Sequence, residues 1–198
     1  AKEKKYTIID FKGISPSMAS YENMDFKNVS AWSRTARGAS VPGAVAGLEL
    51  AREKFGTLSR NILMQPAIDY AMNGFEVDST LSLNLEAHRK DVERDEHSRA
   101  IYFPKGLTVG AGTRIKNPDY GKTLRKIQAG GTEAFYRGEI ADLIAKDAEK
   151  NGGMISKEDL FAYAPIIRQP LVGTYRGYEI ITSPPPCGGM HLIEALNI

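Results

Sequence analysis

The chain has 198 residues, of which 42% are hydrophobic and 25% charged, proportions ordinary for a globular protein and a length that can bury roughly 70% of its unfolded surface. Its 26 basic and 24 acidic residues leave a net charge of +2 and are interspersed, which argues against nucleic acid or an anionic membrane as the main partner. No apolar run approaches the ~20 residues of a membrane span, and a single cysteine, Cys187, excludes an internal disulfide.

Tyr6 to Phe11 (YTIIDF) is apolar on both alternating faces and rich in β-branched residues, which predicts a buried strand. Residues 13–42 carry Gly, Ser, Asn and two prolines without a period and read as a long loop. Pro42-Gly43 then opens a helix in which Ala44, Leu48, Ala51 and Phe55 recur at i, i+4, i+7 and i+11 as one apolar face. Gly56 is expected to stop it by taking the left-handed conformation. Leu58 and Ile62 begin a second stripe. Pro66 has no amide donor and is expected to start a new helix, whose stripe continues through Ile68, Ala71, Met72 and Phe75, with Gly74 at its end.

Asp78 or Ser79 can cap a helix whose shared face is Leu81, Leu85, His88 and Val92, and which runs on into the charged segment Arg89 to Arg99. Gly106 to Gly112 is a turn-rich connection. Asn117-Pro118 starts a helix through Leu124 and Ile127 that Gly130-Gly131 should end. Ile140, Leu143, Ile144 and Ala148 form another amphipathic helix, closed by Gly152-Gly153. Ser156 to Asp159 is similar to a capping box, and Leu171 to Ile181 reads as a hairpin turning at Arg176-Gly177. Pro184 to Pro186 should hold the chain extended, and a last helix begins near Gly189. The chain stops at Leu196-Asn197-Ile198 inside a helical pattern and starts without a methionine. This leads us to expect a piece of a longer polypeptide, so the lack of a signal peptide is uninformative.

The three histidines, His88, His97 and His191, have no metal-ligand spacing and none pairs with Cys187, so neither metal nor cofactor is predicted. His88 falls on an apolar helix face and reads as a hydrogen-bonded core or edge residue. Gly110-Ala111-Gly112 lacks the third glycine and the helix of a dinucleotide site. Gly38 to Pro42 is similar to a nucleophile elbow, but proline replaces its last glycine and no strand precedes it. The charges from Asp91 to Glu96 read as a solvated helix face. Cys187 reads as a buried or half-buried thiol in a turn.

Taken in order, the motifs carry more than their periodicities. VPGxVAGLE from Val41, FGTL from Phe55 and QPAIDYAxxGF from Gln65 resemble a segment of the large subunit of gamma-glutamyltranspeptidases (glutathione hydrolases). Ile9-Asp10-Phe11-Lys12 resembles that family's I-D-[FY]-R, Phe135 to Gly138 its FY-x-G, and Gly152 to Leu160 its NGG-[LI]-[IT]-xEDL. Tyr175 to Tyr178 and Pro184 to Pro186 resemble its YRGY and PPP. The motifs lie in the family's order and cover the chain from about Tyr6 to its last residue.

The resemblance implies an α+β fold, the helix-rich part of an αββα N-terminal-nucleophile hydrolase sandwich, with residues 1–198 forming one large-subunit segment without an internal boundary. It implies hydrolysis or transfer of gamma-glutamyl groups after autocleavage of a precursor. The nucleophile is then the N-terminal threonine of a small catalytic subunit, its own amine serving as base, with backbone amides stabilising the oxyanion. By resemblance all of these lie beyond Ile198. Ala1 has no hydroxyl, so this chain is expected to hold no catalytic residue and to be inactive alone. The implied partners are a gamma-glutamyl substrate and the small subunit. The resemblance implies a periplasmic or secreted compartment.

Lys12 is the candidate substrate-binding residue. The family's arginine at this position clamps the α-carboxylate of the substrate, a task that suits a planar fork. Lysine offers a point charge on a flexible stem, and it reads equally as an exposed strand-end lysine. A functional Lys12 would imply altered recognition, of a poly-gamma-glutamyl chain or a non-glutathione acyl group. Two alternatives stay open: a glutaryl-type acylase of the same superfold, and a non-catalytic helical interaction module, the latter because no catalytic residue is found in these 198 positions.

Overall fold

A computed structural model describes residues 5–198, so Ala1 lies outside the described residues. The chain runs β1 (Ile8–Asp10), α1 (Val29–Trp32), α2 (Ala44–Phe55), α3 (Arg60–Asn73), β2 (Phe75–Glu76), α4 (Ser79–Ala87), α5 (Arg89–Val92) and α6 (Glu96–Tyr102). It continues through β3 (Arg114–Ile115), α7 (Pro118–Tyr136), α8 (Glu139–Lys150), α9 (Lys157–Ala162), β4 (Ile166–Arg168), β5 (Leu171–Tyr175), β6 (Tyr178–Thr182) and α10 (Gly189–Asn197). The strands form three antiparallel pairs, β1 with β4, β2 with β3 and β5 with β6. The fold is α+β and dominated by helices, as the sequence implied.

Helix starts follow local chemistry. Asp78 accepts from the Leu81 amide, Asn117 from Tyr120, and Ser156 and Asp159 complete a reciprocal capping box. Arg176 and Gly177 both have positive φ, which matches the twist of the β5–β6 hairpin. The 13–42 stretch is mainly loop, tied by a bridge between Ile14 and Val41 and holding only α1 and a 3-10 turn at Ala36–Gly38.

Helix α7 packs along α3, with Ile68, Ala71 and Leu124 buried between them. A second cluster gathers Val41, Ala46, Tyr136, Ala141, Leu160 and Tyr163 from α2, α7, α8 and α9. A third, around Val77, Leu85, Phe103 and Ile115, sits beneath the α4–α6 segment.

Several local expectations give way to packing. The α2 face predicted to be apolar is turned outward: Leu48 and Phe55 are each 63% exposed, while Ala46, Gly47 and Glu49 are buried. The reason is close approach. Any Cβ at Gly47 would run into the Phe11 ring, so the side of α2 that meets β1 must be small. Gly56 does cap α2, but in an extended conformation (φ −81°), so it is not a left-handed stop.

Pro66 starts nothing: α3 runs straight through it from Arg60 to Asn73, its packing against α7 outweighing the missing amide bond. Gly74, with φ +87°, ends that helix as expected. The helix begun at Ser79 breaks at His88 (φ −108°), and His88 is exposed, so it is no core histidine. Gly130-Gly131 breaks the helix as expected: Gly131 leaves helical conformation (φ 60°, ψ −141°) against the Arg60 guanidinium, and a second helical stretch runs on from there to Tyr136. β1 is only half-buried, since among the described strands it pairs with β4 alone. Pro184 to Cys187 close a turn and are not extended, the Cys187 amide donating to the Pro184 carbonyl at 3.1 Å.

Candidate functional site

The β1–β4 register places Ile8 opposite Arg168 and Asp10 opposite Ile166, so Asp10 and Arg168 are diagonal neighbours on one face of the ladder. Arg168 Nε donates to Asp10 Oδ2 at 2.8 Å. The other carboxylate oxygen, Oδ1, accepts the Lys12 amide at 3.3 Å. That backbone bond, joined by the Lys12 and Arg168 charges, outweighs partial burial and holds the Asp10 carboxyl below its ordinary range.

Lys12 is therefore pinned by its backbone, and among the described residues its side-chain amine has no hydrogen-bond or ion-pair partner. Its amide is held by Asp10, and its carbonyl accepts the Tyr163 hydroxyl at 2.9 Å from the end of α9. Its side chain is exposed and lines a shallow cleft of about 210 Å³ together with Asp10, Arg168, Ser183, Pro184 and Cys187. Two cations and one carboxylate give the cleft a net positive charge at neutral pH. Such an arrangement can hold an anion. Cys187 is a half-buried free cysteine, and among the described residues no histidine hydrogen-bonds its thiol.

The structure thus brings together Lys12 and Cys187, which the sequence had singled out for separate reasons. It adds Arg168 and Ser183, which the sequence reading missed. No spacing rule pairs Asp10 with a residue 158 positions away; the only signal was a lone arginine in a β-branched run. The histidines stay apart and exposed, and among the described residues no group of three or more His, Cys, Asp or Glu is arranged for a metal. No helix of the described residues is long and apolar enough to cross a membrane.

A second, larger cleft of about 550 Å³ lies between α2, α3 and α7, walled by Leu48, Leu63, Met64, Leu124 and Phe135. Its polar corner is Glu49, which accepts from Arg52 Nε at 3.0 Å and Nη2 at 2.8 Å, and from Arg60 Nε at 3.0 Å. These charge-assisted bonds lower the Glu49 pKa to about 2. A carboxylate so fully engaged neither moves protons near neutral pH nor binds a cation, and we read it as structural.

The family model for gamma-glutamyltranspeptidase matches residues 1–198. The glutathione hydrolase proenzyme of Escherichia coli K12 is 38% identical over 207 residues, which cover 100% of this chain and 35% of that protein. An acylase ACY 1 proenzyme of Pseudomonas sp. strain V22 is 39% identical over 164 residues, covering 82% of this chain and 29% of its own length. The crystal structure of Helicobacter pylori gamma-glutamyltranspeptidase superposes with a TM-score of 0.90 at 38% identity, covering 96% of this chain and 56% of that one. The chain therefore spans about a third of the length of the curated relatives it matches.

Proposed function

The chain belongs to the gamma-glutamyltranspeptidase family, and on that premise we propose that residues 1–198 are one large-subunit segment of an enzyme that hydrolyses or transfers gamma-glutamyl groups. The observation that carries the reading is the family-model match over residues 1–198, with glutathione hydrolase proenzymes 38% identical to the chain. The nucleophile of the reaction is a threonine outside this chain, freed when the precursor is cleaved, and this segment contributes scaffold and part of the substrate cleft. Its partner is the small subunit of the same precursor.

Within that role, Lys12 holds the substrate's free carboxylate. Support comes from its place at the mouth of a positively charged cleft, with its backbone fixed by Asp10 and Tyr163. Full-length protein incubated with a gamma-glutamyl anilide should release the aniline and trap a gamma-glutamyl ester on a small-subunit threonine, visible by intact mass. The absence of both release and ester would overturn the reading.

A second reading, an acylase for glutaryl-type side chains, is favoured by the 39% identity to an acylase proenzyme and by lysine at position 12. Parallel turnover of glutaryl and gamma-glutamyl anilides separates the two.

A further inference from the structure

Lysine alone is a poor match for a carboxylate that must be held in one orientation, because an ammonium is a point charge on a stem with four rotatable bonds. The cleft contains what lysine lacks. Arg168 carries five N–H donors, and among the described residues only Nε is engaged, on Asp10. Its two terminal nitrogens have no partner there, and its side chain is still 37% exposed at the cleft.

Asp10 acts as a splint. Its own side chain is only 14% exposed, it is fixed on the other side by the Lys12 amide, and through Nε it sets the plane of the guanidinium. A guanidinium held by Nε presents its two-nitrogen end as a ready fork. Lys12 follows Asp10 by two residues and lines the same cleft, as does Ser183.

We propose that Arg168, oriented by Asp10, is the specificity-determining residue that grips the carboxylate of the small amino-acid-type ligand in this cleft, with Lys12 supplying a second, non-directional charge. The assignment rests on the gamma-glutamyl reading for the identity of the ligand, but the site itself is defined by geometry. Arginine's fork takes over the directional contact that lysine at position 12 cannot make. A ligand whose carboxylate is converted to an amide loses both the charge and one acceptor, and is rejected.

Cys187 lines the same cleft and is the chain's one cysteine, which makes it a reporter independent of turnover. Full-length protein is alkylated with iodoacetamide in the presence of L-glutamine or L-glutaminamide, and modification of Cys187 is followed by peptide mass mapping. L-glutamine should slow alkylation at least threefold, and L-glutaminamide should not.

In the double variant Arg168→Gln/Asp10→Asn, which leaves no unpaired carboxylate, the L-glutamine concentration giving half-protection should rise about tenfold or more. Arg168→Lys keeps the charge and the Asp10 contact but not the fork, and should behave likewise. Lys12→Gln should shift half-protection by less. Equal protection by the two ligands, no protection by L-glutamine, or protection unchanged in both Arg168 variants overturns the assignment. A protein that shows carboxylate-specific protection yet never turns over a gamma-glutamyl anilide refutes the enzymatic reading while leaving the site standing. Turnover without protection does the reverse.

Discussion

The rings of Tyr136 and Tyr163 lie 5.5 Å apart and within 8° of parallel, and each hydroxyl donates to a backbone carbonyl on the way to the cleft. Tyr136 bonds the Pro42 carbonyl at 2.8 Å, and Tyr163 bonds that of Lys12 at 2.9 Å. The pair thus joins the ends of α7 and α9 to the start of α2 and to the strand end that carries Lys12. Burial pushes the Tyr136 hydroxyl up to about 12 from an ordinary value of 10.0.

This has a pH signature. An unfolded tyrosine ionises near 10, whereas folded Tyr136 keeps its proton to about 12. The unfolded state therefore binds fewer protons in that window, and stability falls as pH rises through it. Tyr136→Phe should flatten this alkaline limb and should lower stability at pH 7 by about 1 kcal/mol. Denaturant melts at a series of pH values check both.

Gly43 stands where these contacts converge. A Cβ there would overlap the Tyr163 hydroxyl and the Phe11 carbonyl, the second of which is backbone and cannot swing aside. Gly43→Ala should cost about 2 kcal/mol and lower the Tm by roughly 4–8 °C. Because the strain falls on the segment carrying Lys12, a rise in KM for the proposed substrate should accompany it. Calorimetry and steady-state kinetics on the full-length protein test the two together.

Glu49 governs the acid side. Its pKa falls to about 2 through bonds from Arg52 and Arg60, against an ordinary 4.5. A folded pKa below the unfolded one gives stability that is present above pH 4.5 and is lost as pH falls toward 2. Glu49→Gln should remove that part of the acid transition and cost about 2 kcal/mol at pH 7, read from urea midpoints at pH 7 and pH 3.

Ser156 takes the Asp159 amide at 3.0 Å while its own amide bonds Asp159 Oδ2 at 3.0 Å. The same Asp159 accepts the Ser17 amide at 2.8 Å and so anchors the long loop. Ser156→Ala should cost about 1 kcal/mol, whereas Asp159→Ala should cost more and should raise amide exchange around Ser17. Hydrogen exchange followed by mass spectrometry distinguishes them.

Lys12→Arg tests recognition directly. With a fork restored beside Arg168, the KM for gamma-glutamyl anilide should fall several-fold, and that for glutaryl anilide should fall with it, because both carry a carboxylate at the same chain position. No change in KM for either substrate would overturn the role given to position 12.

Much of this was legible in the amino-acid order. Asp78, Asn117 and Ser156 announced helix starts, Arg176-Gly177 announced the hairpin, and the motif series from Ile9-Asp10 to Pro184 pointed to the family. These features depend on backbone hydrogen bonds closed within a few residues, so sequence spacing settles them. What faces what was decided elsewhere. The sequence put Leu48 and Phe55 inside and Pro66 at a helix start; the fold put the first two outside and the third mid-helix. It also carried Arg168 across 158 residues to Asp10, beside Lys12. Those outcomes turn on which small residues let backbones approach and on which strand pairs with β1, and both are settled by packing between segments remote in the chain.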